Sequence, residues 1–235
     1  MSYREVAGNI FNSQAQALVN TVNCVGAMGK GIALEFRRRY PTMFLEYREV
    51  CSRGELRPGE IWRWSSGERQ ILNCAVKNHW KYPSKPDWIE RCLEVFSLHY
   101  IEWGIQSIAF PWMGAMNGGI PLEVIQTMMR FHLKNLPSIQ IEVYEFSPDA
   151  KDPLFEKLLK LSSGDITAGE LSLRSGISKV QWEKTLGMLQ SGTVPSLTKL
   201  IEAKAFGAKS IEKLYLFLGQ SKIVEENSRD QLGLF

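Results

Sequence analysis

Six short apolar runs mark the first part of the chain: YREVAGNI (3–10), QALVN (16–20), EIWRW (60–64), QILNCAV (70–76), QSIAFP (106–111) and IQIEVYEF (139–146). They are β-branched or aromatic and bounded by turn residues, which predicts strands. Between them apolar positions recur at helical spacing. Helices are predicted over 30–38 behind a glycine cluster, over 43–52 behind Pro41, over 85–103, and over 121–135 between Pro121 and Pro137. Ser84 and Asp87, around Pro86, read as the cap of the third. Strands alternating with helices imply an α/β fold, a three-layer α/β/α sandwich with a mixed sheet. Ligands of such sheets sit at the carboxyl ends of the strands.

After Pro148 the pattern changes. Five short helical segments fill 153–219, punctuated by Gly164, Gly176, Gly192 to Pro195 and Gly207, with no strand pattern. SPDAKDP (147–153) reads as a linker. The expected organisation is therefore an α/β domain over 1–148, a small all-α domain over 153–219, and a tail over 220–235.

Composition changes this picture little. Apolar residues are 44% and charged residues 23% of the chain, as in ordinary globular proteins. The net charge of +3 divides into +1 before residue 150 and +2 after it, too little to imply nucleic acid by itself. No apolar run approaches the ~20 residues of a membrane span, and the N-terminus has no signal-peptide core. Cys24, Cys51, Cys74 and Cys92 lack metal-ligand spacing. The expectation is a cytoplasmic protein with reduced thiols, no metal, no cofactor and no membrane association.

The candidate chemistry begins at VNTVNCVGAMGKGIA (19–33). A strand runs into Asn20 and Asn23, then Gly26, Gly29 and Gly31 lead into a helix near Lys30. Glycines let backbone N–H groups approach an anion closely, and a helix N-terminus adds a favourable dipole. Many βα turns share such spacing without binding phosphate. A second loop, PWMGAMNGGI (111–120), again joins a strand end to a helix. Two such loops on one sheet can clamp a pyrophosphate. Asparagine is disfavoured in strands, so Asn20 and Asn23 either bond a sugar hydroxyl or brace the loop; bracing is expected of Asn20.

With both loops in place, the sequence resembles the macrodomain family, in the branch of DarG-type antitoxins and the related eukaryotic ADP-ribosyl-glutamate hydrolase. VNTVNCVGAMGKGIALEF, RYPTMF, RGELRPGEIW and NGGI occur in the family's order across residues 3–147. The resemblance implies the macrodomain fold and ADP-ribose as ligand. It puts Asn9 and Ile10 at the adenine end. It wraps the diphosphate and distal ribose with Gly26, Met28, Gly29, Lys30, Gly31 and Ile32 from one loop. Pro111, Gly114, Ala115, Met116, Asn117, Gly118, Gly119 and Ile120 do so from the other, with Asn23 facing the distal ribose. Asn9 stands where other macrodomains often carry aspartate.

In NCAVKNHWK (73–81), Lys77 follows a strand end. Such a lysine is ordinarily just solvated. In the branch resembled here, a lysine at this place acts on the anomeric carbon of the distal ribose, as nucleophile or electrostatic partner. A desolvated lysine can lose its proton and attack such a carbon. Ala75 and Val76 replace the family's proline-threonine pair, and Lys81 and Lys85 are nearby alternatives. Lys77 and Asn23 are the candidate catalytic residues. The aspartate that the eukaryotic hydrolase uses in the second loop is replaced by Asn117, and no acid lies between Pro111 and Pro121. His79 is a proton shuttle or a structural histidine.

In the helical part, Ser172, Gly176, Ser178 and Trp182 have helix-turn-helix spacing. Residues 153–218 resemble the Cro/cI-type helix-turn-helix family, with Ser172 in place of the usual alanine. DNA contact would then come from Lys179, Gln181 and Lys184 in the major groove; the alternative is a protein-interaction domain. The final QLGLF resembles the peptide by which bacterial repair proteins hold the replication sliding clamp. Gln231, Leu232, Leu234 and Phe235 are the candidate contacts, and folding back on the chain is the alternative.

The expected function is an ADP-ribosyl glycohydrolase acting on ADP-ribosylated DNA, as antitoxin to a DNA ADP-ribosyltransferase. The alternatives are a non-catalytic ADP-ribose reader and an antitoxin that acts by binding the toxin directly.

Overall fold

A computed structural model describes residues 2–220. The chain divides into two compact units, with the boundary between Phe146 and Ser147.

The first unit is the expected sandwich. Six strands, β1 (Ser2–Gly8), β2 (Ala17–Asn23), β3 (Ile61–Ser65), β4 (Gln70–Lys77), β5 (Ser107–Pro111) and β6 (Gln140–Phe146), form one sheet in the order β1-β6-β5-β2-β4-β3. Neighbours are parallel except for the antiparallel edge pair β3–β4. The mixed sheet follows from the connections: only the short turn after β3 allows an antiparallel return, whereas the others cross over through helices or longer segments. Helices α1 (Gly31–Arg39) and α2 (Pro41–Ser52) cover one face; α3 (Pro86–His99) and α4 (Leu122–Leu133) cover the other. Alternation along each strand divides the core in two. Ala17, Val19, Leu72, Cys74 and Val76 join the α3–α4 side, while Leu18, Val22, Ile71 and Ala75 join the α1–α2 side.

Two local expectations change. β1 stops at Gly8, and Asn9 leaves the strand to cap a 3-10 turn, its side chain accepting from the Phe11 N–H at 3.1 Å. The cap of α3 is Lys85 without a side-chain bond; Ser84 is buried and its hydroxyl has no partner. Asp87 keeps its favourable place in the first turn.

The second unit is all helical among the described residues: α5 (Pro153–Ser162), α6 (Ala168–Ser175), α7 (Lys179–Gln190), α8 (Leu197–Glu202) and α9 (Ala208–Gly219). Residues 147–152 belong to it, since the Asp152 side chain caps α5 and the Ser196 hydroxyl donates to the Pro148 carbonyl at 2.5 Å. Between α6 and α7, Gly176 adopts a left-handed conformation (φ 65°) that side chains rarely accept. Ser178 then caps α7 through the Gln181 N–H. Trp182 is fully buried, and its indole donates to the Ser175 hydroxyl at 2.8 Å.

No helix among the described residues is long and apolar enough to cross a membrane.

Candidate active site

The parallel strands bring their carboxyl ends to one edge of the sheet, and the nominated residues lie along it. Asn9 follows β1, Pro111 ends β5, Asn23 ends β2 and Lys77 ends β4. From β1 to β4 is four strand spacings, about 19 Å at the usual interstrand distance. This edge suits an extended ligand. Register pairs Asn23 with Lys77 after an irregularity between Val22 and Asn23. The two candidate catalytic residues thus become neighbours because β2 lies beside β4.

Asn23 organises the first glycine loop. Its side-chain oxygen accepts from the N–H groups of Val25 (3.0 Å) and Ala27 (3.3 Å), and its amide nitrogen donates to the Ala27 carbonyl at 2.5 Å. The buried Tyr47 hydroxyl donates to the Asn23 carbonyl at 2.5 Å. Burial also pushes the Tyr47 phenol well above its ordinary pKa, so it remains a donor. Asn20 is fully buried beneath the loop and donates to the Asn73 side chain, its register partner on β4, at 2.9 Å. That bond joins β2 to β4, and the contact of Asn20 with the loop is the Met28 sulfur at 4.0 Å. Met28 is buried against Asn20, while Gly29 and Lys30 are exposed. Burial raises the Cys24 thiol to about 12, which keeps it protonated and unreactive at neutral pH.

The second loop is held by backbone. The Ile120 N–H donates to the Gly114 carbonyl and the Ser84 N–H to the Gly118 carbonyl. A Cβ on Gly118 would lie 2.2 Å from the Gly114 carbonyl oxygen, so the loop's own closure requires this glycine. Ile120 is buried, while Met116, Asn117 and Gly119 are exposed. Pro111 and Ala115 are half-buried.

The two loops meet. A Cβ on Gly31, at the first turn of α1, would lie 2.4 Å from the Asn117 amide nitrogen. Lys77 Nζ donates to the Asn117 carbonyl at 2.6 Å. Desolvation holds the Lys77 pKa below the usual lysine value. Lys77, Asn117 and the start of α1 therefore frame one mouth, with an amine, an amide and helix N–H groups around it. Lys81 and Lys85 instead lie over the rings of Trp80 and Trp88, at 5.2 and 4.9 Å. His79 Nδ1 accepts from the Lys81 N–H at 3.2 Å, which fits a structural histidine.

At the sheet's other end, Asn9 and Ile10 are buried, and the Asn9 side chain bonds the turn. Sequence reading missed Tyr47 and Asn73, the supports of Asn23 and Asn20. Tyr47 follows Met43 by one helical turn on the buried face of α2, and that spacing was the available signal.

In the second unit, Lys179 and Lys184 are exposed on α7. Lys179 pairs with Glu183 at 3.6 Å, and Lys184 donates to the Lys204 carbonyl at 3.4 Å. The Gln181 side-chain oxygen accepts from the hydroxyls of Ser178 and Ser210. Gln231, Leu232, Leu234 and Phe235 lie outside the described residues.

Residues 19–129 match the family described as Macro domain. A DNA ADP-ribosyl glycohydrolase of Thermus aquaticus is 38% identical over 146 residues, covering 60% of this chain and 41% of that protein. A Thermosipho africanus DNA ADP-ribosyl transferase-DNA ADP-ribosyl glycohydrolase fusion protein is 28% identical over 158 residues, covering 59% and 40%. The solved macrodomain of Mycobacterium tuberculosis DarG aligns with a TM-score of 0.60 and 38% identity, covering 62% of this chain and 98% of that one. The chain spans about 40% of the length of the curated relatives it matches.

Proposed function

The N-terminal unit of this chain belongs to the macro domain family, and from that premise we propose that the protein is an ADP-ribosyl glycohydrolase that removes ADP-ribose from modified DNA. In this reading it reverses the work of a DNA ADP-ribosyltransferase and so acts as an antitoxin. The observation that carries it is the Lys77 amine, partly desolvated and held at 2.6 Å on the Asn117 carbonyl where the two glycine loops meet. The names of the similar proteins support both the reaction and the DNA substrate.

Neutral Lys77 attacks the anomeric carbon of the distal ribose, and the bond to the DNA base breaks as the base leaves with a proton. Water then hydrolyses the lysine–ribose bond, releasing ADP-ribose and regenerating the amine. Backbone N–H groups of both loops hold the diphosphate, and Asn23 keeps the first loop in place for the distal ribose. Asn9 and Ile10 form the adenine end.

The test is incubation of the protein with an ADP-ribosylated oligonucleotide. Release of ADP-ribose is expected; intact substrate after prolonged exposure to excess protein leaves only a reader of ADP-ribose. Lys77→Ala lowers release by roughly 10²-fold or more, as loss of the attacking nucleophile requires, while free ADP-ribose still binds within a few-fold. The wild-type rate rises with pH because the attacking amine must be neutral. Desolvation shifts that rise to lower pH than for an ordinary lysine. A Lys77→Ala variant hydrolysing at the wild-type rate removes the assignment.

For delivery, the helical unit is read as a helix-turn-helix, supported by the turn at Gly176, the Ser178 cap and the buried Trp182. Lys179, Gln181 and Lys184 are its proposed DNA contacts, in the major groove. The tail Gln231 to Phe235 is read as a sliding-clamp peptide. Its deletion is expected to abolish capture by a bacterial clamp and leave hydrolysis unchanged, as a pull-down would show.

A further inference from the structure

The loop that follows Lys77 carries more than the amine. Residues 78–85 read NHWKYPSK, and no Asp or Glu occurs between Glu68 and Asp87. Trp80 and Tyr82 are 55% and 64% exposed. They do not hang loosely. The His79 ring stacks on Trp80 with centroids 5.4 Å apart and meets Tyr82 at 5.7 Å. The Tyr82 N–H donates to the His79 carbonyl at 3.2 Å, and the Lys81 N–H donates to His79 Nδ1. His79 is thus the pivot of a tight turn that presents two rings outward; the Lys81 ammonium lies over the Trp80 ring at 5.2 Å, from which it can swing to a phosphate as a base takes its place, and Lys85 follows in the chain, over Trp88. The Asn78 carbonyl accepts from the Cys24 N–H at 3.2 Å and ties this turn to the first glycine loop.

Exposed rings interleaved with lysines, on a preformed turn free of acids, have the chemistry of a platform for nucleic acid. Bases stack on the rings whatever their sequence, and lysines neutralise the intervening phosphates. Preorganisation lowers the ordering cost of binding. Trp80 lies three residues beyond Lys77, so the two are at most about 11 Å apart along the chain. A strand whose modified base stands at Lys77 brings its neighbouring nucleotides to this turn.

We propose that Trp80 and Tyr82, with Lys81 and Lys85, form a base-stacking subsite for the nucleotides flanking the ADP-ribosylated base. This rests on the reading of the substrate as modified DNA. The subsite binds the strand rather than the ADP-ribose, and it takes no part in bond breaking. It therefore favours a modified strand over a modified nucleoside.

The experiment measures binding by the full chain in a Lys77→Ala background, so that hydrolysis does not enter. The probes are free ADP-ribose, an ADP-ribosylated nucleoside, and a pentanucleotide carrying the same modified base at its centre. The expected result is roughly ten-fold or greater preference for the pentanucleotide over the nucleoside, as stacking of one or two bases supplies. Trp80→Ala with Tyr82→Ala brings that ratio close to one and leaves free ADP-ribose binding unchanged, which also shows that the variant is folded. Trp80→Phe with Tyr82→Phe restores most of the preference. A ratio unaltered by the alanine pair overturns the subsite. So does loss of affinity for all three probes alike, which would mark the turn as a support of the ADP-ribose site. Failure of the lysine-bearing protein to release ADP-ribose would overturn the hydrolase reading alone, since the binding ratio is read without chemistry.

Discussion

The two glycine loops at the mouth of the site are built on opposite plans. The first, after β2, is held by side chains: Asn23 makes three bonds to the backbone of Val25 and Ala27, and Tyr47 reaches the Asn23 carbonyl from below. The second, after β5, is held by its own backbone, so tightly that Gly118 has no room for a Cβ. A loop fixed by side chains can be loosened by degrees. A loop fixed by backbone closure survives or fails as a whole. The first loop therefore suits gradual tuning of ligand contact. The second suits rigid presentation of the Asn117 carbonyl, on which Lys77 depends.

The comparison breaks most sharply at Gly118. Gly118→Val forces the chain off the Gly114 backbone, which costs about 1–3 kcal/mol of overpacking. It also displaces the backbone N–H groups proposed to hold the diphosphate, each contributing about 0.5–1.5 kcal/mol. Affinity for ADP-ribose, measured by calorimetry on folded protein, should fall on the order of 100-fold. Unchanged affinity would mean that the second loop is not part of the site.

Asn23→Ala should act less severely. The N–H groups of Val25 and Ala27 lose an acceptor but can turn to water. A denaturation series should show about 1–3 kcal/mol lost, and ADP-ribose should bind roughly ten-fold more weakly. A loss as large as that of Gly118→Val would erase the proposed difference between the loops.

The smallest effect belongs to Gly29. Its backbone is not in the left-handed region, and a Cβ there meets nothing within 4 Å. Gly29→Ala should change stability by less than about 0.5 kcal/mol. A several-fold loss of ADP-ribose affinity is nevertheless expected on the proposal that the first loop wraps the ligand's diphosphate and distal ribose. Equal affinity would show that the ligand takes another path.

Much of the fold was legible from local pattern. Among the described residues, all six strands fall where apolar runs between turn formers place them, and the five helices after Pro148 follow their glycine and proline punctuation. Both loops and Lys77 could be nominated because glycine clusters and a lysine at strand ends carry their signal within a few residues. The cap of α3 was misread for the same reason. Ser84 has the right residue type for a cap, but the fold buries it beside the second loop, where its N–H donates to Gly118. Gly118 itself was legible as a loop glycine, yet whether its missing side chain makes way for ligand or for the loop's own backbone was not.

The sequence alone determined the elements, the helix-turn-helix spacing of Gly176, Ser178 and Trp182, and the residue types at the strand ends, because these depend on propensities and bonds between near neighbours. Only the tertiary structure decided which strand ends face each other. β2 lies between β5 and β4 although it precedes both in the chain, and this sets Asn23 beside Lys77 and the Asn117 loop within reach of both Lys77 and Gly31. Strand order is settled by the burial of both faces of a parallel sheet and by the crossovers of its helices, which are sums over the whole domain. No short stretch of sequence contains them.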